Sequence, residues 1–366
     1  MKRSTDPTNT SAESAANSGD VAENLPPAAA GRSATSAGPD GADGADGADG
    51  AGRVASKGLE SALAAIGFCL ALMAYVLVVR GPISVPALGL VAVLAAGYFG
   101  FSIRAVRAAA AARAPRGLAG AALGPLVLWA AACVYAAAAG LPLGARAASY
   151  AVYLLIPTLL VAAGPLPEAA PELGLLAAVV LGATVKFHLL PGLPLPPPHG
   201  LDGIRLVSLV AAFWLFLVRP ALDRIGYSYA LRGRDLALAL RAFAVYALPA
   251  LAIGLALGFL RWAPRTSPLN LLLTPLIIYI ETAVPEEFLF RGLIQNLLAR
   301  RLGERAGWII ASAVFGLSHL PDPRYAFLAF LAGLAYGWTW MRTGRITASA
   351  VTHALVDWTW VVFLHG

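Results

Sequence analysis

The chain of 366 residues is 58% hydrophobic and 13% charged, about half the ~25% charge of a soluble domain. With a mean hydropathy of +0.71, that balance excludes a soluble globular chain and predicts an all-α, polytopic transmembrane helical bundle lying in the lipid bilayer. The net charge of +7 argues for no nucleic-acid partner, because the excess is Arg in short loops between apolar segments, as the positive-inside rule produces.

Residues 1–57 are rich in Ala, Gly, Ser and Asp and carry the tract GADGADGADGAG. Such a stretch lacks the apolar surface needed to fold and reads as a disordered low-complexity tail. No apolar region near Met1 resembles a cleavable signal peptide. About eleven apolar segments follow, near 61–79, 83–103, 118–140, 147–164, 173–190, 204–218, 242–260, 269–298, 308–320, 325–341 and 346–364. Most approach the length that spans a ~30 Å hydrocarbon core. Segment 269–298 is too long for a simple crossing, so a tilt or a break near Pro285 is expected.

Alternate connections carry the Arg clusters: Arg104 to Arg116, Arg219 to Arg241, Arg300 to Arg305, then Arg342 and Arg345. Placing these inside puts the N-terminus in the cytoplasm. The run PGLPLPPPHG at 191–200 cannot be helical and reads as a rigid loop on the opposite side. A basic, amphipathic stretch near 219–241 separates an N-terminal transmembrane bundle, 58–225, from a second unit, 235–366. No matched pair of halves of the transporter kind is visible. Cys69 and Cys133, the only cysteines, lie in apolar segments and offer neither a disulfide framework nor a Cys-based zinc site.

Polar groups inside the apolar segments gather in the second unit. Glu286, Glu287 and Arg291 lie in ETAVPEEFLFRGLIQ, His319 in VFGLSHL, and His353 and Asp357 in THALVDW. An intramembrane charge costs at least ~2.5–3.5 kcal/mol on insertion scales and is seldom kept without a partner or a task. Glu287 and Arg291 stand four residues apart, so one helix face carries both in the favourable order. Glu286, rotated by about 100° on a helix of 3.6 residues per turn, is left free of Arg291. His353 and Asp357 also stand four apart. Such a pair can share a metal ion, orient a water, or donate a hydrogen bond to a developing oxyanion. Two carboxylates, two imidazoles and a guanidinium are the equipment of a hydrolytic site. The bland alternative for Glu286 and Glu287 is a structural ion pair with Arg291 and a capping acid. His188, His199 and His365 lie in or beside loops, and the Trp residues of the last two segments fit lipid-interface packing.

EEFLFRG resembles the EExxxR signature, with its following Phe-Arg-Gly, of the CPBP family of CAAX proteases and bacteriocin-processing enzymes, which includes CAAX prenyl protease 2. FGLSH, Phe315–His319, resembles that family's FxxxH motif, and His353–Asp357 its HxxxN/D motif. The ordered set covers roughly the last 125 residues. The resemblance implies an intramembrane endopeptidase acting on a membrane-anchored protein or peptide. Glu286 would be its general base and His319 would help to activate water. Glu287 and Arg291 would form a supporting ion pair, with His353 and residue 357 stabilising the oxyanion. Both metal-dependent and glutamic chemistry are described for the family. An Asn amide would donate to an oxyanion, whereas an ionised Asp would repel it, so Asp357 is either protonated or faces a cation. Glu286, His319, His353 and Asp357 would suit Zn²⁺ as N/O ligands. Two other classes, a proton-coupled transporter and a non-catalytic scaffold or immunity protein, predict polar groups in both halves or an eroded motif. Neither is seen. The Ala- and Arg-rich composition points to a bacterial inner (plasma) membrane.

Overall fold

A computed structural model describes residues 58–70, 84–163, 170–195, 202–219, 222–264 and 267–365. The expected tail at 1–57 lies outside these, as does part of the first apolar segment. The described residues are helical apart from turns, connecting segments and one two-residue strand pair. In the N-terminal part, α1 (Gly58–Leu70) precedes α2 (Val85–Gly100), α3 (Arg104–Arg113), α4 (Gly117–Ala138), α5 (Leu143–Ala163), α6 (Pro171–Lys186) and α7 (Gly203–Phe213). A π-helical turn, Trp214–Val218, continues α7.

Helix α7 is the buried axis of this part, and every residue from Val207 to Val218 is buried. Its start is fixed by Asp202, whose Oδ1 accepts from the Ile204 and Leu193 amides at 3.1 and 3.0 Å. That N-cap satisfies a backbone donor left over at the helix end. The Pro-rich connection is tied down on its described side, where the Tyr150 and Tyr135 hydroxyls donate to the carbonyls of Pro191 and Pro194. Farther along α7, Tyr153 donates to Ser208 at 2.7 Å, and Trp214 Nε1 donates to the Gly120 carbonyl of α4 at 3.0 Å.

Part of the basic stretch expected to be amphipathic is instead a chain segment packed into the core, with Ile225, Tyr227 and Tyr229 buried. Only from Gly233 does the chain become helical, as α8 (Gly233–Ala256). Thr347 Oγ1 donates to the Ser228 carbonyl at 2.6 Å and Arg345 Nη1 to the Ala230 carbonyl at 2.8 Å. The strands β1 (Arg261–Trp262) and β2 (Leu364–His365) pair antiparallel, with Arg261 opposite His365.

The long segment around ETAVPEEFLFRGLIQ is continuous but irregular. It begins as α9 (Pro268–Ile278), becomes π-helical at Tyr279–Ala283, returns to α10 (Val284–Glu287), is π-helical again at Phe288–Gln295 and ends as α11 (Asn296–Leu302). Pro285 supplies a reason for the first irregularity: it has no N–H to give to the preceding turn and its ring crowds the carbonyl four residues back. Three helices complete the fold: α12 (Glu304–Leu317), α13 (Pro323–Thr343) and α14 (Ile346–Phe363). Gly316, inside the FGLSH motif, lets α12 approach α13, since a Cβ there would lie 2.7 Å from the Ala326 carbonyl and 2.8 Å from Phe330 Cβ. At the start of α13, Asp322 accepts from the Arg324 amide at 2.8 Å. Hydrogen bonds from the Arg324 side chain hold the Asp322 carboxyl down to about 2.

Among the described residues, four helices are long and apolar enough to cross a membrane: Gly117–Ala138, Leu143–Ala162, Gly233–Ala256 and Ile346–Phe363. A fifth is added if α2 and α3, bent by 111°, form one span. The expected count of eleven is not reproduced. Several apolar segments fold into helices that are too short, such as the 14 residues of α12, which at 1.5 Å each reach only about 21 Å. The apolar faces that remain look outward: Val245 and Leu248 of α8 are 77% and 74% exposed. Patches of that kind require lipid or a partner.

Candidate active site

Two parts of the C-terminal fold, the irregular helix around α10 and helix α14, meet at Glu287. Its carboxylate is fully buried, as is Arg291, and Arg291 Nε reaches Glu287 Oε2 at 3.2 Å. The Ser349 hydroxyl of α14 lies 2.6 Å from the same oxygen. The other oxygen, Oε1, accepts from His353 Nδ1 at 2.9 Å. Both oxygens of the buried Glu287 carboxylate are thus paired, as a buried charge requires. On its far side, Arg291 Nη1 donates to Gln295 at 3.3 Å and Ser312 at 3.5 Å.

Glu286 occupies a different environment. Its side chain is 28% exposed, with Oε2 3.9 Å from His353 Nε2 and Oε1 3.4 Å from Arg205 Nη2 of α7. Asp357 Oδ2 lies 3.4 Å from the same His353 nitrogen. The His353 imidazole thus stands between Glu287 on one nitrogen and Asp357 with Glu286 on the other. A ring carrying protons on both nitrogens donates to each side. Tyr336 stacks on it at 4.5 Å with an interplanar angle of 13°, which sets the plane of the ring.

His319 ends the FGLSH motif just beyond α12. Its Nδ1 donates to the Phe315 carbonyl at 2.7 Å. In a neutral ring this leaves Nε2 as the acceptor, the tautomer needed to take a proton from water. The Phe315 ring lies 4.8 Å from His319 and 5.7 Å from His353. The first residue of the motif therefore gives one histidine its backbone acceptor and packs against both imidazoles. The Tyr325 ring meets His319 edge-on at 4.6 Å. Glu286 and His353 both lie within Coulombic range of His319.

The six residues singled out in the sequence, Glu286, Glu287, Arg291, His319, His353 and Asp357, therefore occupy one neighbourhood. Ser349, Tyr336 and Arg205 were not foreseen. Ser349 had a detectable signal, since it precedes His353 by four residues and so shares its helix face; Arg205 had none. Fitting a metal requires at least three convergent ligands. Among the described residues no group of three or more His, Cys, Asp or Glu side chains is spaced to hold an ion. The quartet proposed for Zn²⁺ does not fit a metal in this arrangement.

The fold and site together define a helical membrane protein with an acid–imidazole centre set among its C-terminal helices. Residues 268–359 match the family model described as type II CAAX prenyl endopeptidase Rce1-like. That segment contains all six motif residues and belongs to the CPBP/Rce1-like family of CAAX intramembrane endopeptidases. Arg205 lies outside it. No curated protein and no solved structure matches the chain.

Proposed function

We propose that the protein hydrolyses a peptide bond of a membrane-anchored polypeptide, using a water held between Glu286 and His319. The observation that carries this reading is the asymmetry of the paired acids. Glu287 is buried with every oxygen engaged, whereas Glu286 keeps partial exposure beside His353. A base that must reach water and substrate has to be the second kind.

In this mechanism Glu286 takes a proton from the water, and His319 Nε2 accepts a hydrogen bond that orients it. The resulting hydroxide adds to the scissile carbonyl carbon and the carbonyl π electrons move to oxygen. The His353 Nε2–H stabilises that oxyanion, with Asp357 steering the proton-bearing nitrogen from 3.4 Å. Collapse of the tetrahedral species breaks the C–N bond while protonated Glu286 returns its proton to the leaving amine. Glu287, Ser349 and Tyr336 hold His353 in place, and Arg291 balances Glu287. No step is routed through a metal.

The substrate class is a membrane-associated protein; the composition favours a bacterial inner membrane, and the Arg-rich connections favour an N-terminus in the cytoplasm. The described residues of 58–225 share a core with the catalytic unit, with Phe213 4.5 Å from Phe288, and offer a surface on which the substrate docks. Quantitative proteomics of membranes from cells carrying the wild type or Glu286→Ala tests the reading. At least one membrane polypeptide should accumulate uncut in the variant; identical peptide profiles would overturn the assignment.

A further inference from the structure

The site holds three carboxyl groups, Glu286, Glu287 and Asp357, around one imidazole. The family-matched segment supplies one guanidinium to balance them, Arg291, which is committed to Glu287. Glu286 would thus lack a cationic partner other than His353, which it shares with two acids. The second guanidinium comes from elsewhere in the chain, as Arg205 Nη2 lies 3.4 Å from Glu286 Oε1. Arg205 is the third residue of α7, a helix whose start is pinned by the Asp202 cap and whose body is buried.

We propose that Arg205 is a positioning residue for the catalytic carboxylate, so that the active site is completed by the N-terminal bundle. The contact to Oε1 fixes one arm of Glu286 and turns the other, Oε2, toward His353. Without it the carboxylate is free to rotate among three rotamers and adds an unbalanced charge to a site already rich in acids. The contact also carries little weight in stability, because Arg205 and Glu286 keep 41% and 28% of their side-chain exposure and exposed pairs contribute little to folding. Its effect should therefore appear in turnover. The inference rests on Glu286 acting as the general base.

The test uses full-length protein in liposomes, with the membrane polypeptide that accumulates in Glu286→Ala cells as probe. Arg205→Ala should lower kcat on the order of 10- to 100-fold, the scale of a misplaced catalytic group, while KM stays within about twofold, as expected when only transition-state interactions are lost. Arg205→Lys should recover part of that loss, and so should millimolar guanidinium added to Arg205→Ala. In a Glu286→Gln background, Arg205→Ala should add nothing further. Three results would overturn the inference: full kcat in Arg205→Ala, a loss confined to KM, or a kcat loss that neither lysine nor guanidinium repairs. If the wild type itself fails to cut while remaining folded, the general-base reading falls and this one with it.

Discussion

Glu287 joins two motifs that lie far apart in the chain: its Oε1 is 2.9 Å from Nδ1 of His353, 66 residues later. The second acid of the EE pair is therefore the anchor of the imidazole as well as the partner of Arg291. This divides the paired acids by environment, one fully buried against the imidazole and the other 28% exposed.

The division predicts that stability and activity separate between neighbouring residues. Glu287→Ala leaves the fully buried Arg291 without its carboxylate, and breaking such a pair costs about 3–5 kcal/mol. Glu286→Ala removes a partly exposed acid and should leave unfolding nearly unchanged while abolishing cleavage. Denaturant unfolding in detergent checks this. Equal losses of stability in the two variants would remove the distinction.

Ser349→Ala deletes the hydroxyl 2.6 Å from Glu287 Oε2. Hydrogen bonds to charged groups contribute about 1.5–3 kcal/mol, so the variant should be destabilised by that amount and its kcat should fall as the Glu287–His353 contact loosens. An unchanged unfolding midpoint would argue that the Ser349 hydroxyl is spent on the Tyr336 carbonyl, 2.7 Å away.

Asp357 departs from the amide found in part of the family. Since it faces His353 Nε2 at 3.4 Å, an Asn carbonyl can take the same place while its amide serves the oxyanion. Asp357→Asn should therefore keep at least wild-type kcat. Asp357→Leu leaves the His353 Nε2–H unsteered and should lose on the order of 10²-fold, the scale of a misplaced catalytic group. An inactive Asn variant would show that the negative charge itself is required.

The site was legible in the sequence wherever partners share a helix. Glu287 with Arg291 and His353 with Asp357 are four residues apart, and helical geometry alone brings such pairs together, even though Phe288–Gln295 is π-helical. The three motifs also announced which helices had to converge. What periodicity cannot encode is a partner from a remote element. Arg205 lies 81 residues from Glu286, and no spacing in the sequence links the two. The all-helical class followed from composition, but the count of crossings did not. Hydropathy registers an apolar stretch without revealing that Glu304–Leu317 is one short buttress and that Pro285 disturbs its helix.

Activity should survive removal of metal. Among the described residues, Glu286, His319, His353 and Asp357 are not spaced as a ligand group, and His353 Nδ1 is already committed to Glu287. Exhaustive chelation, with metal content measured by elemental analysis, should leave kcat unchanged. Loss on chelation that Zn²⁺ restores would demand a different arrangement of these side chains.

The most direct measurement is cleavage by purified protein in liposomes, run in H₂¹⁸O with wild type and Glu286→Ala side by side. The account predicts that only the wild type cuts the accumulated polypeptide, and that the new C-terminal carboxyl carries one ¹⁸O. Cleavage by Glu286→Ala at the wild-type rate would contradict it.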